Sequence, residues 1–230
     1  MKSVRWRAAA GGFALAASAG WNVANVGAVA TRLAHAYGVS LGVVGLLTTG
    51  LFVTHAALQI PAGRLCDRFG ARVVGFAGLV VTGFASAAAL AWRDAAFAIG
   101  MRVLAGVGTG LAFVSGSDYI RSTIGSTVAQ GFYGAGSMAA GGIALAVVPH
   151  WRSWHAPFAT AAIVAAAGVV LLLLAPPDAA RPVRPTVLPT VADRRLLAFA
   201  VMHSASFGLS VVIGNWVVTL LERNGGDSAG

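Results

Sequence analysis

Charged residues divide this chain into apolar windows. No Asp, Glu, Lys or Arg occurs between Arg7 and Arg32, Arg32 and Arg64, or Arg72 and Arg93. Asp94 to Asp118 holds only Arg102, and Arg121 to Arg152, Arg152 to Asp178 and Arg195 to Glu222 are again empty. Each window has about 20 or more residues, the length a helix needs to cross a hydrocarbon core of ~30 Å. Lipid offers no hydrogen-bond partners, so a crossing backbone must satisfy itself as a helix. The pattern predicts seven transmembrane helices near 9–31, 41–62, 73–92, 96–119, 125–149, 155–175 and 196–221. The first window imitates a cleavable signal peptide: Lys2, Arg5 and Arg7, an apolar run, then Ala17-Ser18-Ala19. The run continues unbroken through Val23, Val26 and Val29, which favours a retained first span.

Composition supports this reading. Of 230 residues, 57% are hydrophobic and 10% charged, against about 25% charged in a soluble domain. Too few polar side chains remain to cover a globule, which excludes a soluble enzyme, a nucleic-acid binder and a disordered chain. The net charge is +9, yet the cations are arginines spread along the chain rather than a lysine-rich patch, and Lys2 is the single lysine. One cysteine, Cys66, excludes an internal disulfide or a cysteine-rich metal site. No cofactor or metal is expected.

The cations also set an orientation. With the amino terminus inside, Lys2, Arg5, Arg7, Arg64, Arg68, Arg72, Arg121, Arg181, Arg184, Arg194 and Arg195 lie on the inner side, against Arg32, Arg93, Arg152 and Arg223 outside. The expectation is a multi-pass protein of the inner or plasma membrane with a cytoplasmic amino terminus. The stretch 176–195 carries five of the eight prolines and several charges, and reads as an extended cytoplasmic linker. It separates a six-helix unit, 1–175, from a seventh helix in 196–230. Glycines inside spans, among them the GxxxG of Gly106 and Gly110 and the cluster Gly131, Gly134, Gly136, Gly141 and Gly142, predict close helix packing or faces thin enough to slide.

Between the second and third spans the sequence is Gly63-Arg64-Leu65-Cys66-Asp67-Arg68-Phe69-Gly70-Ala71-Arg72. This resembles the loop signature of the major facilitator superfamily, G-x-L-x-D-R-x-G-x-R. Arg102, Gly106 and Gly108 resemble its fourth-helix R-x-x-x-G-x-G. The fifth span is similar to the family's glycine-rich fifth helix without its Gly-Pro pair. His55 to Pro61 and the seventh span resemble the cyanate and nitrate permease branch, although the nitrate-type arginine is absent from the second span. The resemblance implies an all-α integral membrane fold: a six-helix bundle plus one further transmembrane helix that begins an incomplete second half. It also implies a secondary transporter of a small molecule or small anion working by alternating access. A second half-transporter chain is a conceivable partner beside the lipid bilayer. The alternative is a fragment or half-module that does not transport alone.

Candidate residues follow. In the motif, Gly63 and Gly70 permit a tight turn, and Asp67 lies before the third span near the positive end of its dipole. Asp67 is expected to pair with Arg121, and Asp118 with Arg68 or Arg72, as a cytoplasmic gate; the rival reading is ordinary interface charge. Arg102, the one formal charge within a span, either faces an aqueous cavity or bonds neighbouring carbonyls. Trp21, Asn22, Asn25, His55, Tyr133 and His203 are the remaining cavity candidates; His150, Trp151, Trp154 and His155 read as an interface belt. A retinal protein is excluded because the seventh span has no lysine. Paired carboxylates, HExxH and a nucleophile elbow are absent, so no enzyme is expected.

Overall fold

The computed structural model describes residues 2–178 and 193–225. Most of the expected linker, 179–192, lies outside the described residues. Among those described, every regular element is helical. The first span comprises α1 (Lys2–Ala24), a 3-10 turn (Gly27–Val29) and α2 (Ala30–Tyr37). It is longer than expected and broken at 25–29. The second comprises α3 (Leu41–Ala57) and α4 (Gln59–Phe69), bent by 49°. A straight 41–62 helix was the expectation; Pro61 has no N–H to give the Ala57 carbonyl, so the helix breaks at Leu58. Then follow α5 (Ala71–Ala88), α6 (Ala95–Thr123), α7 (Thr127–Val147) with a 3-10 turn (Val148–Trp151), α8 (Ala156–Leu174) and α9 (Arg194–Arg223). Among the described residues six spans are long and apolar enough to cross a membrane, and the bent pair, taken as one span, makes a seventh.

Side-chain caps start α3, α6, α7 and α9. Asp94 accepts from the Phe97 N–H at 2.7 Å and Asp193 from the Arg195 N–H at 2.8 Å. Gly38 and Gly125, both at φ +66°, end α2 and separate α6 from α7.

The first span runs through the middle of the bundle, with α6, α7 and α8 around it. One core, at the end carrying Gly63–Arg72 (the motif end), gathers Leu15, Leu79, Tyr119 and Leu172. Another, at the opposite end, gathers Val26, Leu33, Leu47 and Phe158. Helix α6 lies between α3 and α5, and its glycines explain how. A Cβ at Gly106 would fall on the Thr54 hydroxyl and the Leu51 carbonyl, and one at Gly110 would lie 3.0 Å from the His55 carbonyl. Gly108 faces the other way, 2.7 Å from the Gly78 carbonyl of α5 by the same measure. The R-x-x-x-G-x-G pattern therefore packs two helices at once. The fifth span divides similarly: Gly136 and Gly141 face α1, while Gly131, Gly134 and Gly142 border open space.

Candidate functional site

The Gly63–Arg72 motif splits into two halves with different neighbours. Gly63 to Phe69 are helical, not a loop, and Gly63 needs no special conformation. The turn is made by Gly70 alone, at φ +87°. At the start of α5, Asp178 accepts from the Arg72 N–H at 3.0 Å. Arg72 in turn donates from Nε to the Leu172 carbonyl (3.2 Å) and from Nη2 to the Leu173 carbonyl (2.8 Å). Arg72 thus caps α8 instead of meeting Asp118. Arg68 lies over the Phe69 ring, 5.1 Å from its centroid. Asp118 pairs with Arg121 on its own helix, 2.5 Å apart. Asp118 thus has a partner on its own helix, and Arg72 bonds the end of α8.

Asp67, Asp118 and Arg121 nevertheless come together. With Gln59 and Gly63 of α4 and Phe113, Val114 and Ser117 of α6, they line a cleft of about 440 Å³ at the motif end. The bend at Leu58 aims α4 away from the line of α3 and leaves this space beside α6. Gln130 of α7 donates to the Ser117 carbonyl at 2.7 Å.

Behind the cleft a ring sequence crosses three helices. Phe113 lies 5.7 Å from His55 on α3 and 5.7 Å from Tyr133 on α7. The Tyr133 hydroxyl donates to the Phe113 carbonyl at 2.6 Å, and Gln59 donates to the His55 carbonyl at 3.1 Å. His55 Nδ1 is 3.1 Å from the Thr109 hydroxyl, which lies 3.2 Å from the Gly106 carbonyl. If the hydroxyl proton goes to that carbonyl, the imidazole donates from Nδ1 and keeps Nε2 as an acceptor. His55 and Tyr133 are both buried.

A second polar group lies nearer the opposite end. Arg102 is 2% exposed. It donates from Nε to the Leu47 carbonyl (3.2 Å), from Nη1 to Asn22 Oδ1 (3.0 Å) and from Nη2 to the Asn22 carbonyl (2.6 Å). Of the two readings, carbonyl bonding is the one this conformation adopts, and Arg102 does not open onto the cleft. Asn22 completes itself by donating to the Ser18 carbonyl. Trp21 and Asn25 face α8, donating to the Thr160 hydroxyl (3.0 Å) and the Pro157 carbonyl (2.7 Å). His203 lies on α9; its side chain is outside the described residues.

Sequence reasoning missed a shared role of the arginines. Arg93 donates to the Ala36 carbonyl at the end of α2, and Arg32 to Pro149 beyond α7. Arg93, Arg72 and Arg102 bond last-turn carbonyls of neighbouring helices, and Arg32 bonds the 3-10 turn after α7. Asp178 was hidden among the linker prolines, though the Pro176-Pro177-Asp178 order places a short acid where α8 must end. Phe113 and Ser117 carried no signal beyond their four-residue spacing.

Residues 12–225 match the profile of the Major Facilitator Superfamily. Nearly the whole chain is covered, and the chain belongs to this family of membrane transporters. Among curated proteins none matches it.

Proposed function

We propose that the chain is the first lobe of a secondary transporter that moves a small solute by alternating access, through the cleft between α4 and α6. One observation carries the reading: about 440 Å³ of space holding Asp67, Asp118 and Arg121 opens at the motif end and reaches Phe113, behind which His55 and Tyr133 lie buried. In this reading Gly63, Asp67, Asp118 and Arg121 form the gate, and Gly70, Arg68 and Arg72 hold the adjoining end of the bundle. Trp21, Asn22, Asn25, His55, Arg102 and Tyr133 are the polar residues further into the bundle, and His203 is carried by α9. The cleft carries two carboxylates and one guanidinium, and Arg102 is already occupied by carbonyls. A neutral or cationic solute therefore fits this path better than an anion.

The motif end is assigned to the cytoplasmic side of the cell membrane by the excess of cations there. A single cysteine at Arg68, in a Cys66→Ala background, should react with an impermeant thiol reagent in inside-out vesicles and not in right-side-out ones. The reverse result overturns the orientation.

The second reading, a half-module needing another chain, draws on α9, whose large apolar side chains Phe199, Val201, Met202 and Leu209 are all exposed. Uptake of labelled cations, neutral solutes and anions into proteoliposomes separates the two. The chain is tested alone and joined to its genomic continuation. Uptake by either, abolished by Asp118→Asn, supports the carrier. Uptake of none of the three solute classes by both forms overturns it.

A further inference from the structure

Where α1 stops at Ala24, the carbonyls of its last turn lose their helical donors. Two of them, consecutive in sequence, are met by side chains from different helices. The Asn22 carbonyl receives Arg102 Nη2 of α6 at 2.6 Å, and the Val23 carbonyl receives Asn215 Nδ2 of α9 at 3.0 Å. The same two side chains reach a second consecutive pair, on α3. Arg102 donates from Nε to the Leu47 carbonyl at 3.2 Å, and Asn215 Oδ1 accepts from the Thr48 hydroxyl at 3.2 Å. Arg102 and Asn215 therefore lie side by side across α1 and α3 like adjacent rungs.

The backbone is shaped around this point. A Cβ added at Gly27, in the broken segment, would fall on the backbone of Asn215, and one at Gly45 would lie 3.4 Å from the Trp216 ring. Asn215 is 4% exposed, while Val212 and Ile213 on the same helix are 57% and 54% exposed. Helix α9 is thus seated at its Asn215 turn, against a segment that exists only because the first span is broken.

We propose that Arg102 and Asn215 form a single coupled joint, so that breaking of the first span and docking of α9 are one event, with Asn215 the positioning residue that ties α9 to the kink. The role in transport rests on the carrier reading above; the test does not use transport, so the two stand or fall separately. By reciprocity, a change at one rung must be felt at the other.

The experiment uses the full chain in lipid nanodiscs, in a Cys66→Ala background, with paired nitroxide labels and pulsed electron spin resonance distances. One pair, Leu46→Cys with Ile213→Cys, reads α9 docking from exposed positions on α3 and α9. The other, Trp6→Cys with His35→Cys, reads the end-to-end length of the first span. Arg102→Lys keeps the charge, loses the planar fork and touches nothing on α9. It should nonetheless broaden the α3–α9 distribution, and Asn215→Leu should lengthen the first span. Thr48→Val removes one hydrogen bond and should lower the docked-to-undocked ratio about threefold. If Arg102→Lys alters only the first span and Asn215→Leu only α9, the two contacts are independent packing and the proposal is wrong. Should Arg102→Lys fail to fold, the first-span distance in Asn215→Leu decides: lengthening supports the joint, no change overturns it.

Discussion

The first span and α9 are both single membrane crossings, yet the bundle treats them oppositely. Of the first span's most apolar stretch 83% is buried, whereas none of α9's is, although α9 is the more apolar. Apolarity cannot choose between them, because lipid solvates a leucine as well as a protein interior does. Size and polar bonding choose. Helix α1 is rich in Ala and Gly, and its neighbours use that thinness. A Cβ at Gly20 would fall on the Ser137 carbonyl of α7, one at Gly12 on the Ile120 side chain of α6, and one at Gly11 within 2.7 Å of Ala175 beyond α8. Trp21 and Asn22 of α1, and Asn25 just beyond it, each bond to another part of the chain or to the helix's own backbone. Helix α9 offers large side chains outward and, among its described residues, two buried polar ones, Asn215 and Thr219.

The largest expected effect tests the role of size. Gly20→Leu has no space, because the obstacle is backbone rather than a movable side chain. We expect a loss of about 3 kcal/mol or more, seen as loss of the monodisperse peak in fluorescence-detected size exclusion. Gly208→Leu on α9 has nothing within 4 Å of the added Cβ and should elute as the parent does. Equal damage at the two sites would refute the comparison. Next in size is Arg102→Met, which strips donors from the Asn22 and Leu47 carbonyls and from Asn22 Oδ1 in a buried site. Loss of about 2 kcal/mol or more is expected in thermal unfolding. A melting curve like the parent's would mean that water replaces the guanidinium and that the site is not dry.

Much of this architecture is legible in the sequence for a plain reason. Charges such as Arg72, Arg93 and Asp94 must leave the hydrocarbon, so their spacing marks the crossings. Gly106 and Gly108 likewise announce two packed faces, because no other residue tolerates such approach. What was not legible depends on which helix end lies beside which side chain. The arginines look like topology signals; that Arg72 closes α8, Arg93 closes α2 and Arg102 closes α1 follows only from the three-dimensional arrangement. One contact at the motif end needs no such arrangement. Asp118 and Arg121 are three residues apart, close enough to satisfy each other locally, and that geometry was already present in their spacing. The bend before Pro61 was available as well, since a proline inside a helix forfeits one bond wherever it stands.

The smallest effect sharpens the role of polar bonding. Trp21→Phe keeps an aromatic ring, smaller than indole, and removes one donor, the Nε1–H that reaches Thr160. The Thr160 hydroxyl still donates to the Ala156 carbonyl at 2.7 Å, so no buried proton is orphaned. The cost should therefore stay near the average for a hydrogen bond between membrane helices, about 0.6 kcal/mol. On α9, Leu209→Ala removes a side chain that is 62% exposed and should change stability by less still, about 0.3 kcal/mol or below. Both are measured as shifts in reversible unfolding in mixed micelles. If Leu209→Ala proves the more damaging, α9's outward face is covered by protein in the membrane, and the contrast between the two helices belongs to the isolated chain alone.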